Sequence, residues 1–418
     1  MQNRFFIFIV IIITFTILID VYAYIGVHSF FKNSSPSVRH LFTILFWSVT
    51  LVFIAVFIFF FRIDYQKRDP SDLSGVFILV GLYMLVYLPK MVFCGFRGVE
   101  DLIWVTGRGI SFISKSIGGK ELPSIRLMIL SKAGLAISFV VFGAILAGIL
   151  GRFNYHLEQV EIGIKNLPKR LEGLKIIHIS DIHLGSMHGK QERISRAIEM
   201  INSANADLVL FTGDLVNNFS EEAHGWENLF ASVHPGSGKY SILGNHDYGD
   251  YWTWKSENEK KANMDLLFKI QEDMGFKLLV NQWDTVSING ETIGLIGVEN
   301  WGLPPFSQHG DLSKSLKGFP PVSLKILLSH NPTHWDAEIL DKTDIPLTLS
   351  GHTHAMQFGI KIGNYRWSPA RLMYNRYWGL YRQNGQSLYV NRGFGYIGFP
   401  GRVGHRPEIT LITLRRED

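Results

Sequence analysis

Aspartate, asparagine and histidine gather in five short polar clusters along this chain: Asp181-Ile182-His183, Gly213-Asp214, Gly244-Asn245-His246-Asp247, Ser329-His330-Asn331 and Gly351-His352-Thr353-His354. Carboxylate, carboxamide and imidazole are the donors that borderline divalent ions such as Mn, Fe and Zn accept. Two such ions about 3.5–4 Å apart can clamp a phosphoryl oxygen and make a water acidic near neutral pH, which is hydrolytic chemistry. His246, beside a candidate ligand, could protonate the leaving oxygen or stabilise its charge. Asp247 could orient His246 or a ligating histidine. Taken singly, an Asp or Asn after a strand is most often a turn or cap residue. His352 and His354 alone would read as alternating residues of one strand face. The conjunction at five places is what points to a site. His188, His224, His234, His309 and His405 have no such context. His334 follows His330 at helical spacing, but Thr333 reads as a helix N-cap and His334 as its first turn.

Something must bring these clusters together. Each follows a short apolar run, at 174–179, 208–211, 240–243, 324–328 and 345–349. Runs of this kind suit strands buried on both faces. In α/β sheets ligands bind beyond the carboxyl ends of the strands, so five such strands would deliver their polar tips to one edge. Helical patterns at 190–203, 221–232, 258–274 and 333–340 lie between them. Runs at 277–280, 285–288 and 292–298 lack intervening helices and suggest an antiparallel portion, and 159–164 reads as an edge strand. The expected fold is a layered sandwich of sheets with helices outside.

The ordered set DIH, GD, GNHD, SHN and GHTH resembles the calcineurin-like metallophosphoesterases, within them the membrane-anchored YkuE/YaeI-type branch, over roughly residues 167–414. The resemblance implies a four-layer αββα sandwich. It puts Asp181, His183 and His354 on a first metal ion, and Asn245, His330 and His352 on a second. Asp214 then bridges the two, and His246 faces the substrate. Asn391-Arg392-Gly393-Phe394-Gly395 resembles the branch's Arg-Gly segment, which makes Arg392 a candidate substrate contact. The family usually has two small residues after GHTH; here Ala355-Met356 follow.

Ahead of this domain lie four apolar stretches at about 5–27, 41–61, 75–95 and 128–150, each long enough to cross a hydrocarbon core as a helix. The boundary is drawn at residue 151, with a four-helix transmembrane domain over 1–151 and the phosphoesterase domain over 152–418. Asp20 and Lys90 fall towards the ends of their stretches, where Asp20 reads as interfacial and a lysine can snorkel to the interface. Basic residues number eight on one side of the spans and seven on the other, and the dense Arg62, Lys67, Arg68 loop tips the reading to a cytoplasmic catalytic domain. The single cysteine, Cys94, excludes an intramolecular disulfide. A net charge of +5 says little about nucleic acid, no basic stripe interleaved with aromatics supports it, and no such partner is expected.

Two aromatic clusters follow GNHD and GHTH. The first holds Trp252 and Trp254, the second Trp367, Tyr374 and Trp378, with Arg371 and Arg376 among them. Such a mixture suits a mouth on the bilayer that takes a phosphorylated head group, or ordinary packing over long loops. Trp367 and Trp378 are therefore candidate substrate contacts. The expected function is a membrane-anchored hydrolase of a phosphoester or pyrophosphate, with a lipid-linked substrate of the UDP-diacylglucosamine type as its concrete form. The competing class is a non-catalytic membrane scaffold or sensor that keeps the fold.

Overall fold

The computed structural model describes residues 2–62, 72–120, 128–304, 306–363 and 365–417. Four long helices come first: α1 (Gln2–His28), α2 (Pro36–Arg62), α3 (Asp72–Ser116) and α4 (Met128–Leu150). All four are long and apolar enough to cross a membrane. The expected third span is too short. α3 runs for 45 residues, which at 1.5 Å per residue is ~67 Å. No proline follows Pro89 before its end, and residues such as Arg97 and Glu100 are good helix formers. Pro89 itself offers no N–H to the turn before it. Its carbonyl accepts a 2.8 Å bond from Ser138 Oγ, which ties α3 to α4.

Asp20 and Lys90 do not reach for an interface. Asp20 is fully buried and accepts from Lys90 Nζ at 2.5 Å, Thr50 Oγ1 at 2.7 Å and Tyr87 Oη at 2.8 Å. Lys90 Nζ also lies 4.5 Å from the Phe46 ring centroid and 4.6 Å from that of Tyr87. A carboxylate with three donors and a paired ammonium tolerates burial that an isolated charge does not. The correction therefore comes from pairing across helices.

The rest of the chain is a second compact unit. Its strands are β1 (His156–Lys165), β2 (Lys175–Ile179), β3 (Leu208–Phe211), β4 (Lys239–Ser241), β5 (Lys277–Leu278), β6 (Gln282–Ile288), β7 (Glu291–Val298), β8 (Leu324–Ser329), β9 (Leu347–Ser350), β10 (Ile360–Ile362), β11 (Tyr365–Trp367), β12 (Gly379–Gln383), β13 (Gln386–Val390) and β14 (Glu408–Glu417). One six-stranded sheet runs β1-β14-β2-β3-β4-β5 and another β12-β13-β9-β8-β7-β6. β1 is the expected edge strand. β6 and β7 form the expected antiparallel hairpin, closed by Asn289-Gly290 with both φ positive, as a two-residue turn demands. β5 departs from expectation: it pairs in parallel with β4 in the other sheet, because α5 (Gln191–Ser203), α6 (Glu227–Ala231) and α7 (Glu257–Asp273) supply the crossovers that parallel strands need.

The two sheets face each other through Ile176, Leu210, Ile242, Leu295, Ile326 and Leu349. α5 and α7 cover the outer face of the first sheet with Ile194, Ile198, Leu267 and Ile270, at the three-to-four spacing of an amphipathic face. A short turn at Trp335–Ile339 packs Trp335 and Ile339 on Ile296, Leu327 and Val390 of the second. The result is the four-layer αββα order. Two helices are shorter than their patterns. Gly225, at φ 80°, interrupts 221–232 and leaves only α6. Of 333–340 only Trp335–Ile339 forms a regular turn, and the Thr333 N–H ahead of it is taken by Asn331 Oδ1 at 3.0 Å.

Candidate metal centre

β2, β3, β4, β8 and β9 run parallel within their sheets, and the five polar clusters begin where these strands end. The backbone there turns out of the strands at unusual angles. Asp181, His183, Asp214, His352 and His354 all have φ between 48° and 71°. Left-handed backbone at non-glycine residues costs on the order of 1–3 kcal/mol each and persists where the surroundings enforce it. Glycine is required beside them. A Cβ on Gly351 would lie 1.8 Å from Ser180 Oγ and 2.3 Å from Asp181 Oδ2, and one on Gly244 would lie 2.2 Å from Asp214 Oδ1.

These turns gather the side chains. His183 Nε2 and His354 Nε2 are 3.1 Å apart, and His354 Nε2 is 3.1 Å from Asp181 Oδ1. Asp214 Oδ2 stands between two imidazoles, 3.1 Å from His330 Nε2 and 3.7 Å from His183 Nε2. Asn245 Oδ1 is 3.2 Å from His330 Nε2 and 2.7 Å from His352 Nδ1. Two ligand-sized groups result, Asp181 with His183 and His354, and Asp181 with Asp214 and His330. All are buried except His352, which is partly so.

The hydrogen bonds set which ring nitrogens carry protons. His183 Nδ1 faces Asn217 Oδ1 at 3.0 Å, and His330 Nδ1 faces the Thr212 carbonyl at 2.7 Å. Oxygens of this kind only accept, so both Nδ1 atoms donate, and in the neutral ring each Nε2 keeps a lone pair. In that form His330 Nε2 faces two acceptors, the Asp214 carboxylate and the Asn245 carbonyl, while His183 Nε2 faces Asp214 and His354 Nε2. Acceptors facing acceptors in a buried site repel unless positive charge, a metal ion or a proton on Nε2, lies among them. The donor set therefore fits divalent ions. The titration behaviour shows the same demand for positive charge. Burial disfavours a charged His330, yet Asp214 pushes it up to about 9. Burial alone would raise Asp214, but His330 and His246 hold it well below the carboxylate range. Burial pushes His183 and His352 down to about 3.

His246 sits beside this group, its ring 5.0 Å from that of His183, and its backbone N–H donates to Asp214 Oδ1 at 2.9 Å. Its Nδ1 donates to the Asn217 carbonyl at 2.9 Å, which leaves Nε2 as the atom that can carry a mobile proton. Asp247 is not the expected orienting partner of a histidine. Its carboxylate accepts the N–H groups of Gly244 and Asp214 at 2.9 and 2.8 Å, and those of Leu215 and Val216 at 2.8 and 3.2 Å. It folds the two loops onto each other, because a fully buried carboxylate takes the nearest unpaired backbone donors.

Asn217 escaped the sequence reading although it lies only three residues past Asp214. It serves two histidines at once, through its side chain and its carbonyl. Glu222 holds it in turn, accepting the Asn217, Asn218 and Phe219 N–H groups at 2.6, 3.1 and 3.1 Å. Arg402, also unread, is buried and directs Nη2 towards His354 Nδ1 at 3.3 Å. Tyr251 Oη accepts from Asn245 Nδ2 at 2.8 Å, and Tyr374 Oη meets His352 Nε2 at 3.0 Å. Both belong to the aromatic clusters, so one ring from each does reach the centre.

Two candidate substrate contacts are corrected. The Arg392 guanidinium is buried, paired with Glu408 and with Glu158, and spread over the Trp378 ring at 4.7 Å. Its charge is already matched, and Trp378 is buried beneath it. Trp252 and Trp254 pack edge-on against Phe219. Trp367 alone of these tryptophans is exposed, on β11.

Comparison with known proteins agrees with this arrangement. The family described as "Calcineurin-like phosphoesterase" matches residues 174–356. The family described as "Probable Calcineurin-like phosphoesterase, transmembrane domain" matches residues 3–152. The metallophosphoesterase YkuE of Bacillus subtilis is 32% identical over 293 residues, which are 66% of this chain and 95% of YkuE. A transmembrane protein with a metallophosphoesterase domain from Danio rerio is 32% identical over 266 residues, 62% of this chain and 57% of that protein. The UDP-2,3-diacylglucosamine pyrophosphatase LpxG of Chlamydia trachomatis is 27% identical over 284 residues, 55% of this chain and 81% of LpxG.

Proposed function

From the premise that this chain belongs to the calcineurin-like phosphoesterases and carries their four-helix transmembrane domain, we propose that it is a two-metal hydrolase of a lipid-linked phosphoester or pyrophosphate. The observation that carries this reading is the convergence of His183 Nε2 and His330 Nε2 on the buried Asp214 carboxylate, at 3.7 and 3.1 Å. Asp181, His183 and His354 would hold one ion and Asn245, His330 and His352 the other, with Asp214 between. Bound there, two divalent ions supply positive charge to the phosphoryl oxygens and raise the acidity of water. The protein's own part is positional. Thr212 and Asn217 keep the imidazoles in the ligating tautomer. His246, held by the Asn217 carbonyl, presents Nε2–H to the leaving oxygen and returns to its basic form when that oxygen takes the proton.

The lipid-linked substrate draws support from the transmembrane helices and from the printed activity of LpxG, a pyrophosphatase of a diacylated sugar nucleotide. The catalytic domain is assigned to the cytoplasmic face. Purified full-length protein with Mn is to be assayed on a soluble phosphodiester, a soluble phosphomonoester and UDP-diacylglucosamine in one detergent. Hydrolysis of the amphiphile at the highest kcat/KM is expected. Binding without turnover of any of the three would favour a scaffold or sensor.

A further inference from the structure

The segment that follows the last site histidine leaves both large sheets. β10 and β11 pair only with each other, and every residue of β10 is exposed. An isolated two-stranded hairpin is marginal in water unless something covers it. Here the uncovered side chains are apolar: Ile360, Ile362, Tyr365 and Trp367, continued by Leu372 and Met373 in the next turn. Ile362 is 71% exposed and Leu372 87%. Exposed aliphatic residues beside Tyr and Trp mark surfaces that meet a partner or a bilayer interface. The charges select between these. No Asp or Glu occurs anywhere in residues 345–407, while Arg366 and Arg371 are interleaved with the apolar side chains, and Lys361 among them pairs with Glu158 at 2.9 Å. Arg371 is exposed. Cations beside an apolar lip complement the anionic head groups of a membrane. The patch also adjoins the centre: Met373 precedes Tyr374, whose hydroxyl is 3.0 Å from His352 Nε2.

We infer that the 360–373 lip docks on an anionic bilayer surface and holds the candidate centre against it. The docking deepens the lipid-linked reading and rests on it for its purpose, since a lip in the head-group layer lets an amphiphile reach the site without leaving the membrane. Trp367 belongs to this lip; Trp378, buried, does not.

The test uses the full-length chain with Cys94→Ser and one new cysteine, at Ile362, Leu372 or, on the exposed side of α7, Lys269. Each is labelled with a fluorophore and placed in nanodiscs of phosphatidylcholine with or without phosphatidylglycerol. Quenching by a lipid-borne nitroxide is expected at 362 and 372 and not at 269. Adding Arg371→Glu should reduce it only in discs that contain phosphatidylglycerol. Quenching at 362 and 372 no stronger than at 269 overturns the docking, and so does protection from both lipid-borne and aqueous quenchers, which would mean that protein covers the lip. Turnover of a soluble phosphodiester, followed in the same discs, keeps the two readings apart. Turnover without quenching sinks the docking alone, and quenching without turnover of any ester sinks the hydrolase alone.

Discussion

Removing the Asn217 side chain separates its two contacts. In Asn217→Ala the backbone carbonyl stays, so His246 Nδ1 keeps its 2.9 Å acceptor, whereas His183 Nδ1 loses its 3.0 Å one. His183 is fully buried. A buried donor without a partner costs about 1–3 kcal/mol, which at 1.4 kcal/mol per factor of ten is roughly 5- to 150-fold in an equilibrium constant. The loss of an outer partner of a ligating histidine typically costs 10–100-fold in metal affinity, the same range. Asn217→Ala should therefore weaken Mn binding by about 10–100-fold while retaining most of its kcat at saturating Mn. Asn217→Asp keeps an oxygen at the same place and should bind Mn at least as tightly as the wild type. The assay is a Mn titration of phosphodiester hydrolysis, with bound Mn measured by elemental analysis in parallel. Unchanged Mn affinity with a collapsed kcat would refute the reasoning, for it would mean that the side chain serves His246 and not a ligand.

His246→Ala should keep its metal and lose about 10²–10⁴-fold in kcat, compared by elemental analysis and initial rates; equal loss of metal would make His246 a ligand. Glu222 is fully buried, and burial, opposed by its backbone N–H partners, raises it to about 7. A raised carboxyl stabilises the fold below its unfolded value near 4.5 and loses that contribution as pH rises through 7, a change of roughly 3 kcal/mol. Glu222→Gln should flatten that part of the Tm profile between pH 5 and 8. In the membrane unit, Asp20→Ala leaves Lys90 charged and unpaired, and a broken buried pair costs roughly 3–5 kcal/mol; thermal unfolding in detergent should show a large drop that Asp20→Ala with Lys90→Met partly reverses.

What could be read in advance follows from range along the chain. Buried parallel strands are apolar in their own residues, and the clusters at their ends lie next to them, so β2, β3, β8 and β9 and their polar tips were visible as local pattern. α3 beyond residue 95 was not, because hydropathy falls at Arg97 and Glu100 while helix propensity does not. Pairing across distance left no trace in the order of residues. Asp20 finds Lys90, and Arg392 finds Glu408, only in three dimensions, which turned an interfacial acid into a buried one and a candidate substrate arginine into a structural one. Asp247 and Glu222 were opaque for another reason: both bind backbone N–H groups, whose positions depend on the finished loops.

The claim on which the rest depends is that the imidazole nitrogens converging on Asp214 serve to hold metal ions. Full-length protein, stripped with chelator and reloaded with Mn, should contain about two equivalents per chain by elemental analysis, as a bridged two-ion centre requires. Asp214→Asn, which replaces the shared carboxylate by a neutral amide of the same shape, should lose both equivalents and all turnover together. Two ions retained by Asp214→Asn, or none taken up by the wild type, would contradict the account.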